Sequence, residues 1–412
     1  MTRTKGSLLV LGAGEEQVAI YQEARRRGLP TIGVDMRSDR PGLALADTFL
    51  QISTTDPVRI AEALAGQRIA GVVSTAADTC LESWHHLTDR FGTPWRYPAA
   101  AARVSMDKAE FHRIAGAAGI PTYRWIQSTP DAVAAAVPHR LGFPAVVKPA
   151  DSSGSRGVGR VDTPAELAAA LAEAARHSPR GQVIAEECLV GLNLTVNVFL
   201  VDGRPAASVI SEKLILPGPR FLIGGHLAPA PVDPATERAL LADALRLCAA
   251  FDLRDGPANF DVIVAADGTR YVLEVGARMS GNGFPQLATA ATGADWLAAL
   301  VDLATGRPVR LNPVRRRPTR LRVLTSPLEV AGELVSVEGL DLVAAMPGVA
   351  AAQVFAVPGS TVLPFTEAGR KLGWIVATAD AHDLLDSTID QALGALKIVA
   401  RPHRDRELVG LD

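Results

Sequence analysis

Cysteine is scarce in this 412-residue chain: Cys80, Cys188 and Cys248 are scattered, odd in number and outside any C-x-x-C spacing. A disulfide framework and a cysteine zinc site are excluded on that ground, and the pattern suits a reducing cytoplasm. Net charge is also missing. The 42 basic residues nearly balance 44 acidic ones, leaving −2, so no general attraction to nucleic acid or an anionic membrane is available. No apolar run approaches a membrane span, and Leu8-Leu9-Val10-Leu11 is too short for a signal peptide's apolar segment. No Gly-x-Ser-x-Gly elbow offers a serine nucleophile. These absences predict a cytoplasmic protein with no nucleic-acid and no membrane partner. Lysine is the last shortage. Of the 42 basic residues only six are lysine: Lys5, Lys108, Lys148, Lys213, Lys371 and Lys397. In so arginine-rich a chain, a lysine in a patterned context marks a place that needs a compact ammonium rather than a planar guanidinium.

What is present is the composition of a folded protein, with 48% apolar and 21% charged residues. At about 150 residues per domain, the length predicts two or three domains. The opening reads as a strand over 8–11, a turn at Gly12-Ala13-Gly14, a helix over 15–27 ended by Gly28, and a strand over 31–34 closed by Asp35. A strand over 71–74 and a helix over 78–90 follow. Such alternation predicts a parallel sheet covered on both faces. The spacing divides the chain into a Rossmann-like domain over 1–105, a mixed α+β domain over 106–310 and a small α+β domain over 311–412. The last follows a Pro- and Arg-rich linker and carries a helix over 381–395.

Three patterns carry chemistry. Gly12-x-Gly14 after a strand, with Asp35 ending the next, resembles a dinucleotide turn. Gln17 stands at the third glycine position, however, and Glu15 and Glu16 would repel a pyrophosphate, which favours a turn that binds nothing or meets a small substrate. The second pattern is the hairpin around Asp267-Gly268. A two-residue turn there sets Asp261 directly opposite Glu274. Two carboxylates with Cβ atoms about 5 Å apart repel one another unless a cation lies between them. A hard divalent ion such as Mg²⁺ suits them. Without metal, one acid is expected to have a raised pKa, and Glu274→Gln to leave the apo protein as stable or slightly more so. The third is the loop from Lys148 through Ser152, Ser153, Gly154, Ser155 and Gly157, whose small residues can turn backbone N–H groups inward as an anion nest. His226, between Gly224-Gly225 and Pro229, reads as part of a shaped loop.

Taken together, these residues resemble the ATP-grasp superfamily of carboxylate–amine ligases over roughly 8–310. Met106-Asp107-Lys108 with Gly119-Ile120-Pro121-Thr122 resembles the first ATP lysine and its exit. Phe143-Pro144-Ala145-Val146-Val147-Lys148-Pro149 resembles the second ATP lysine entering a glycine-rich lid, placed at about 120–185. Val183 to Leu189 resembles the hinge that reads adenine, and Tyr271-Val272-Leu273-Glu274-Val275-Gly276-Ala277-Arg278 the metal strand.

The resemblance implies an ATP-grasp fold and an enzyme that uses ATP with Mg²⁺, or Mn²⁺ in its place, to join a small-molecule carboxylate to an amine through an acyl phosphate. It implies ATP contacts from Lys108, Lys148, Ser152, Ser153, Gly154, Ser155, Gly157, Glu186, Glu187, Leu189 and Asn193, and metal ligation by Asp261 and Glu274. Lys148 and Arg278 act on the reacting groups, and His226 and Arg278 face substrate. Two positions depart from the family pattern: Asn193 replaces the ribose-binding glutamate, and Gly276 replaces an asparagine of the metal set. The L-amino-acid ligases are the most similar branch, and a homodimer is compatible with the resemblance. Competing readings are a carboxylase of the biotin-carboxylase or purine-pathway type using bicarbonate, a Rossmann oxidoreductase, and a non-catalytic nucleotide sensor.

Overall fold

Continuous apolar runs dominate the first strands, and they pack into a parallel sheet buried on both sides. The computed structural model describes residues 6–152 and 154–403. Strands β1 (Ser7–Leu11), β2 (Thr31–Val34), β3 (Thr48–Leu50) and β4 (Ile69–Val73) form a sheet in the order β3-β2-β1-β4, with every pairing parallel. The two expected N-terminal helices start three residues late, as Val18–Arg26 and Leu81–Phe91. Tertiary partners capture the residues ahead of each. Gln17 sends its side-chain amide to the Thr75 carbonyl at 2.5 Å, and Asp78 accepts from Arg278 at 2.7 Å.

Strands β5 (Trp125–Ser128), β6 (Ala145–Pro149), β7 (Gly159–Val161) and β8 (Val183–Glu187) make an antiparallel sheet ordered β5-β8-β6-β7. Helices Pro130–Arg140 and Pro164–Arg176 cover it, each opening with proline, which fits the first helical turn because its missing N–H needs no partner there. Val133, Val137, Val147, Leu167, Leu171 and Val183 form its own apolar core, separate from the main one. This unit can therefore move without opening the rest of the protein.

The largest sheet is antiparallel and runs through β9 (Leu192–Val201), β10 (Arg204–Ile215), β11 (Ile223–Ala228), β12 (Gly256–Val264), β13 (Arg270–Gly276) and β14 (Thr319–Leu324). Strand β15 (Gly332–Glu338) leaves it, β16 (Val349–Val354) returns, β17 (Thr361–Val362) leaves, β18 (Gly373–Thr378) returns, and β19 (Lys397–Pro402) is the last strand among the described residues. The order is β13-β12-β9-β10-β11-β14-β18-β16, with β17-β15-β19 as a small satellite sheet. The C-terminal strands therefore extend the central sheet directly.

Among the described residues no single helix is long and apolar enough to cross a membrane. Phe284–Thr292 and Trp296–Ala304 are apolar together, but they bend by 110° and bury Phe284, Leu287, Trp296 and Leu300 in the main core. The second of these helices clamps the parallel sheet to the rest. A Cβ at Gly71 of β4 would overlap the Ala304 carbonyl oxygen, and Arg27 bonds the Ala298 carbonyl at 2.9 Å. Gly71→Ala is accordingly expected to lower the unfolding free energy by roughly 1–3 kcal/mol through overpacking. Urea denaturation reads this as a lower midpoint, and an unchanged midpoint would contradict the close packing.

Candidate active site

In an antiparallel sheet, residues directly opposite one another share a face. Register therefore lines up Glu274 (β13), Asp261 (β12), Thr195 (β9) and Ser211 (β10) across the central sheet. Two residues along β10 on the same face, Lys213 stands opposite His226 of β11. Of this row, Glu274, Asp261 and Lys213 line the floor of a cleft of about 1010 Å³, including its mouth, between the central sheet and the β5–β8 unit, while Thr195, Ser211 and His226 are buried and do not line it.

Asp261 and Glu274 face each other, though the turn differs from the expected one. The Ala265 amide bonds Thr269 O and the Gly268 amide bonds Ala265 O, both at 2.9 Å, so the loop has three residues, with Gly268 at φ +83°. That leaves Val262 opposite Val272. A β-bulge at Leu273 then restores the pairing of Asp261 with Glu274. It also aims Leu273 into the cleft, where its carbonyl accepts from the Tyr123 hydroxyl at 3.5 Å.

The repulsion expected between the acids is relieved by lysines. Lys213 Nζ lies 2.8 Å from Asp261, and Lys108 Nζ lies 3.7 Å from Glu274 and 3.1 Å from the Ser152 carbonyl that it bonds. Enclosure by the cleft walls would raise the Glu274 pKa, but Lys108, Lys148 and Lys213 outweigh it and the pKa is lowered. The expected raised carboxylate is thereby corrected, and with it the sign for Glu274→Gln. That change leaves three lysines undercompensated, so it should lower rather than raise apo stability. The effect stays modest because 47% of the Glu274 side chain meets solvent. A calorimetric melt checks the direction.

Above the floor, Lys148 at the end of β6 pairs with Glu186 of β8 at 2.8 Å, and His112 approaches the other Glu186 oxygen at 3.5 Å. Both Lys148 and Glu186 are buried. Burial would raise the Glu186 pKa, yet the charges and hydrogen bonds of Lys148 and His112 bring it down to about 2. His112 is held by stacking on Trp125, ring centres 5.1 Å apart, and by the Tyr123 hydroxyl at 3.4 Å. Adjacent acids thus take opposite directions. Glu187 turns outward to Arg124 at 2.8 Å while Glu186 turns inward.

The cleft collects most of the residues singled out in the sequence: Lys108, Lys148, Ser152, Gly154, Ser155, Glu186, Glu187, Leu189, Asn193, Asp261 and Glu274 all line it. Ser153 lies outside the described residues. Gly157 is in the loop but does not line the cleft. With φ +67°, it packs so that a Cβ would come 3.0 Å from His177 and 3.1 Å from Pro149. His226 belongs to strand β11 rather than to a shaped loop. It is buried and bonded to Ser211 Oγ at 3.1 Å, and burial together with nearby Lys213 pushes its pKa down to about 3, leaving a neutral ring. Arg278 lies past the end of β13, beside Asp78. Gly276 makes this possible: a Cβ there would come 2.7 Å from the Arg278 guanidinium carbon. Glycine at a position where the resemblance implies asparagine gives this arginine its seat.

Sequence reasoning left Lys213, His112, Tyr123 and Asp78 without roles. The scarcity of lysine was a usable signal for Lys213. The other three reach the site only through tertiary packing.

A second crevice opens at the carboxyl ends of the parallel strands. Gly12, Gly14, Glu15, Glu16, Asp35 and Arg40 line it, Arg40 being its one cation and sitting 3.7 Å from Glu15.

Comparison with known proteins identifies this architecture. The family model for the carbamoyl-phosphate synthase L chain, ATP binding domain, matches residues 107–312, half of the chain. The chain belongs to the ATP-grasp ligases. A second model, L-amino acid ligase C-terminal domain 2, matches residues 325–401. The Sinorhizobium fredii protein y4rH is 29% identical over 346 residues, covering 82% of this chain and 70% of that protein. A formate-dependent phosphoribosylglycinamide formyltransferase of Bordetella parapertussis is 27% identical over 397 residues, 93% and 92% of the two chains. In fold, the ATP-grasp ligase described here resembles the L-amino acid ligase from Bacillus licheniformis, with TM-score 0.80, 21% identity and coverage of 98% and 100%. It also resembles phosphoribosylglycinamide synthetase from Anaerococcus prevotii, with TM-score 0.76, 18% identity and coverage of 96% and 99%.

The buried Lys148–Glu186 pair makes stability depend on pH. Because the folded pKa of Glu186 lies near 2 against an ordinary 4.5, its contribution is full above about 4.5 and is lost as pH falls toward 2. Glu186→Gln should cost roughly 3 kcal/mol near neutral pH and flatten that acid arm. Denaturation midpoints between neutral and strongly acidic pH measure both, and parallel curves for the two proteins would refute the pairing.

Proposed function

We propose that this ATP-grasp ligase binds ATP in the cleft with adenine in the apolar slot of Val146, Leu189, Ile215, Ile263 and Leu273. The backbone of residues 187–189 reads the adenine edge, and Asn193 bonds the ribose. The phosphates run to Lys108, Lys148 and the loop of Ser152, Gly154 and Ser155, with Gly157 shaping its return. One observation carries this reading: lysines from two separate elements converge on two facing carboxylates beneath a glycine-rich loop.

A divalent cation fits between Asp261 and Glu274. Both offer hard oxygen donors, and among the described residues no group of three or more His, Cys, Asp or Glu could hold a metal alone. Such a pair suits an ion completed by phosphate oxygens and water, as Mg²⁺ or Mn²⁺ is. When bound, it neutralises phosphate charge. Lys108 and Lys213 partner the same acids, so these ammonium groups are available to turn toward phosphate when the cation takes their place.

The chemistry proposed is amide formation. A substrate carboxylate oxygen attacks the γ-phosphorus, the bond to the bridging oxygen breaks, and ADP leaves with that electron pair. Lys148, aimed by Glu186, stabilises the charge in transit. The amine then attacks the acyl carbon, the bond to phosphate breaks, and the amine's proton passes to the departing phosphate. Arg278, its planar fork oriented by Asp78, holds the carboxylate. His226, neutral and bonded to Ser211, stands opposite Lys213 behind the cleft lining and is the residue proposed to face substrate.

The C-terminal match to the L-amino acid ligase model supports an amino acid as one substrate. The crevice above the parallel sheet supports an unphosphorylated amine as the other. Glu15 and Asp35, beside a Glu16 already paired with Lys371 and against one paired arginine, suit an ammonium and disfavour a phosphorylated substrate such as the formyltransferase relatives' names denote. The unpaired thiols among the described residues fit a cytoplasmic enzyme, and a homodimer is the assembly to test by ultracentrifugation.

A phosphate-release screen with amino acids singly and in pairs tests the reading directly. Release that requires two amino acids supports it, whereas release with bicarbonate alone favours the carboxylase. Arg278→Lys should lower kcat/KM by on the order of 100-fold, because a point charge cannot replace an oriented fork. Near-normal turnover in that variant would remove Arg278 from carboxylate binding.

A further inference from the structure

Lys371, in the C-terminal part of the chain, is one of only six lysines, and its side chain is 8% exposed. It is far in sequence from the cleft and does not line it. Its Nζ lies 2.7 Å from Glu16 Oε1, donates to the Ala368 carbonyl at 3.4 Å and sits 5.9 Å over the Phe355 ring. The same Glu16 oxygen accepts from the Asn282 amide at 2.9 Å. Glu16 thus ties the C-terminal segment to the turn that follows Arg278. That turn has no slack. A Cβ at Gly281 would come 2.8 Å from Ala76 Cβ, and one at Gly283 2.7 Å from the Trp374 ring. Three residues before Lys371, the Ala368 amide bonds the Gly154 carbonyl of the glycine-rich loop at 3.3 Å. Loop, C-terminal segment, N-terminal turn and Arg278 turn therefore form one chain of contacts, with a largely enclosed ion pair as its central link.

We propose that Lys371 is a positioning residue: its pair with Glu16 pins the segment from Glu367 to Lys371 as the seat on which the glycine-rich loop docks when nucleotide is bound. This rests on the nucleotide reading of the cleft. Lys371 is the more enclosed partner, so removing Glu16 leaves its ammonium with little water and no carboxylate, which makes the pin strong. The Ala368–Gly154 backbone bond joins loop to segment without a strand pairing or a shared apolar core, which lets the loop dock and leave while the seat stays fixed. Water is kept from an activated acyl group only while the loop is docked.

Arg156 lies in this loop and gives trypsin a reporter site within it. In the full chain, saturating non-hydrolysable ATP analogue with Mg²⁺ should slow cleavage after Arg156 by about tenfold or more, since proteolysis follows the population of the open form. In Lys371→Met that protection should shrink to about threefold or less at saturating analogue. The charge-swapped pair Glu16→Lys with Lys371→Glu should regain most of it. Ala368→Pro is a second route. Ala368 opens a 3₁₀ turn, where proline fits, so this change removes the amide bonded to Gly154 and leaves the ion pair intact. It should reduce protection without lowering the melting temperature. Equal protection in all four proteins overturns the pin and leaves the nucleotide reading standing. No protection in the unmodified chain overturns both.

Discussion

Charge compensation in a confined space governs the cleft. Glu186, Asp261 and Glu274 would repel one another, and the buried one would resist ionisation, without ammonium groups from three separate elements. Lys148 comes from the β5–β8 unit, Lys108 from the helix before it and Lys213 from the central sheet. Each lysine is buried beside an acid. Attraction between Lys148 of one sheet and Glu274 and Asp261 of the other couples the two across the cleft, although their apolar cores are separate. Under the nucleotide reading proposed above, the same acids and ammonium groups would exchange partners when phosphates and a cation arrive.

Around that balance, steric constraints set where each group points. The bulge at Leu273 keeps Asp261 and Glu274 in register and turns an apolar side chain into the cleft. Gly276 leaves room for the Arg278 guanidinium, and Asp78 from the N-terminal domain then orients it. Gly71 lets the parallel sheet approach the helix that carries Ala304. Small residues at these positions turn sequence-distant segments into one site. The C-terminal strands complete it by extending the central sheet and bringing Lys371 and Trp374 against the turn after Arg278.

Much of the architecture was legible in the chain itself. Buried apolar runs separated by helix-length segments specify the parallel sheet, since a strand covered on both faces has no polar face to alternate. The two lysines at patterned positions, the small-residue loop and the facing acids of the hairpin are local features, and local chemistry announces them. Element starts were less legible. The residues at 15–17 and 78–80 have helical neighbours, but tertiary hydrogen bonds to Thr75, Asn282 and Arg278 win over continuation of the helix.

What the sequence by itself determined is the inventory of charged and small residues that the cleft collects, and the order of the elements that carry them. Tertiary structure alone decided which charges meet. Lys213 reaches Asp261 because β10 and β12 flank β9 in the central sheet, whereas Lys371 reaches Glu16 between two different sheets, and no period or propensity encodes either adjacency. It also decided protonation. A glutamate's ordinary pKa is a property of the residue, whereas its displacement to about 2 at Glu186 is a property of the lysine and histidine that folding places beside it in the absence of water.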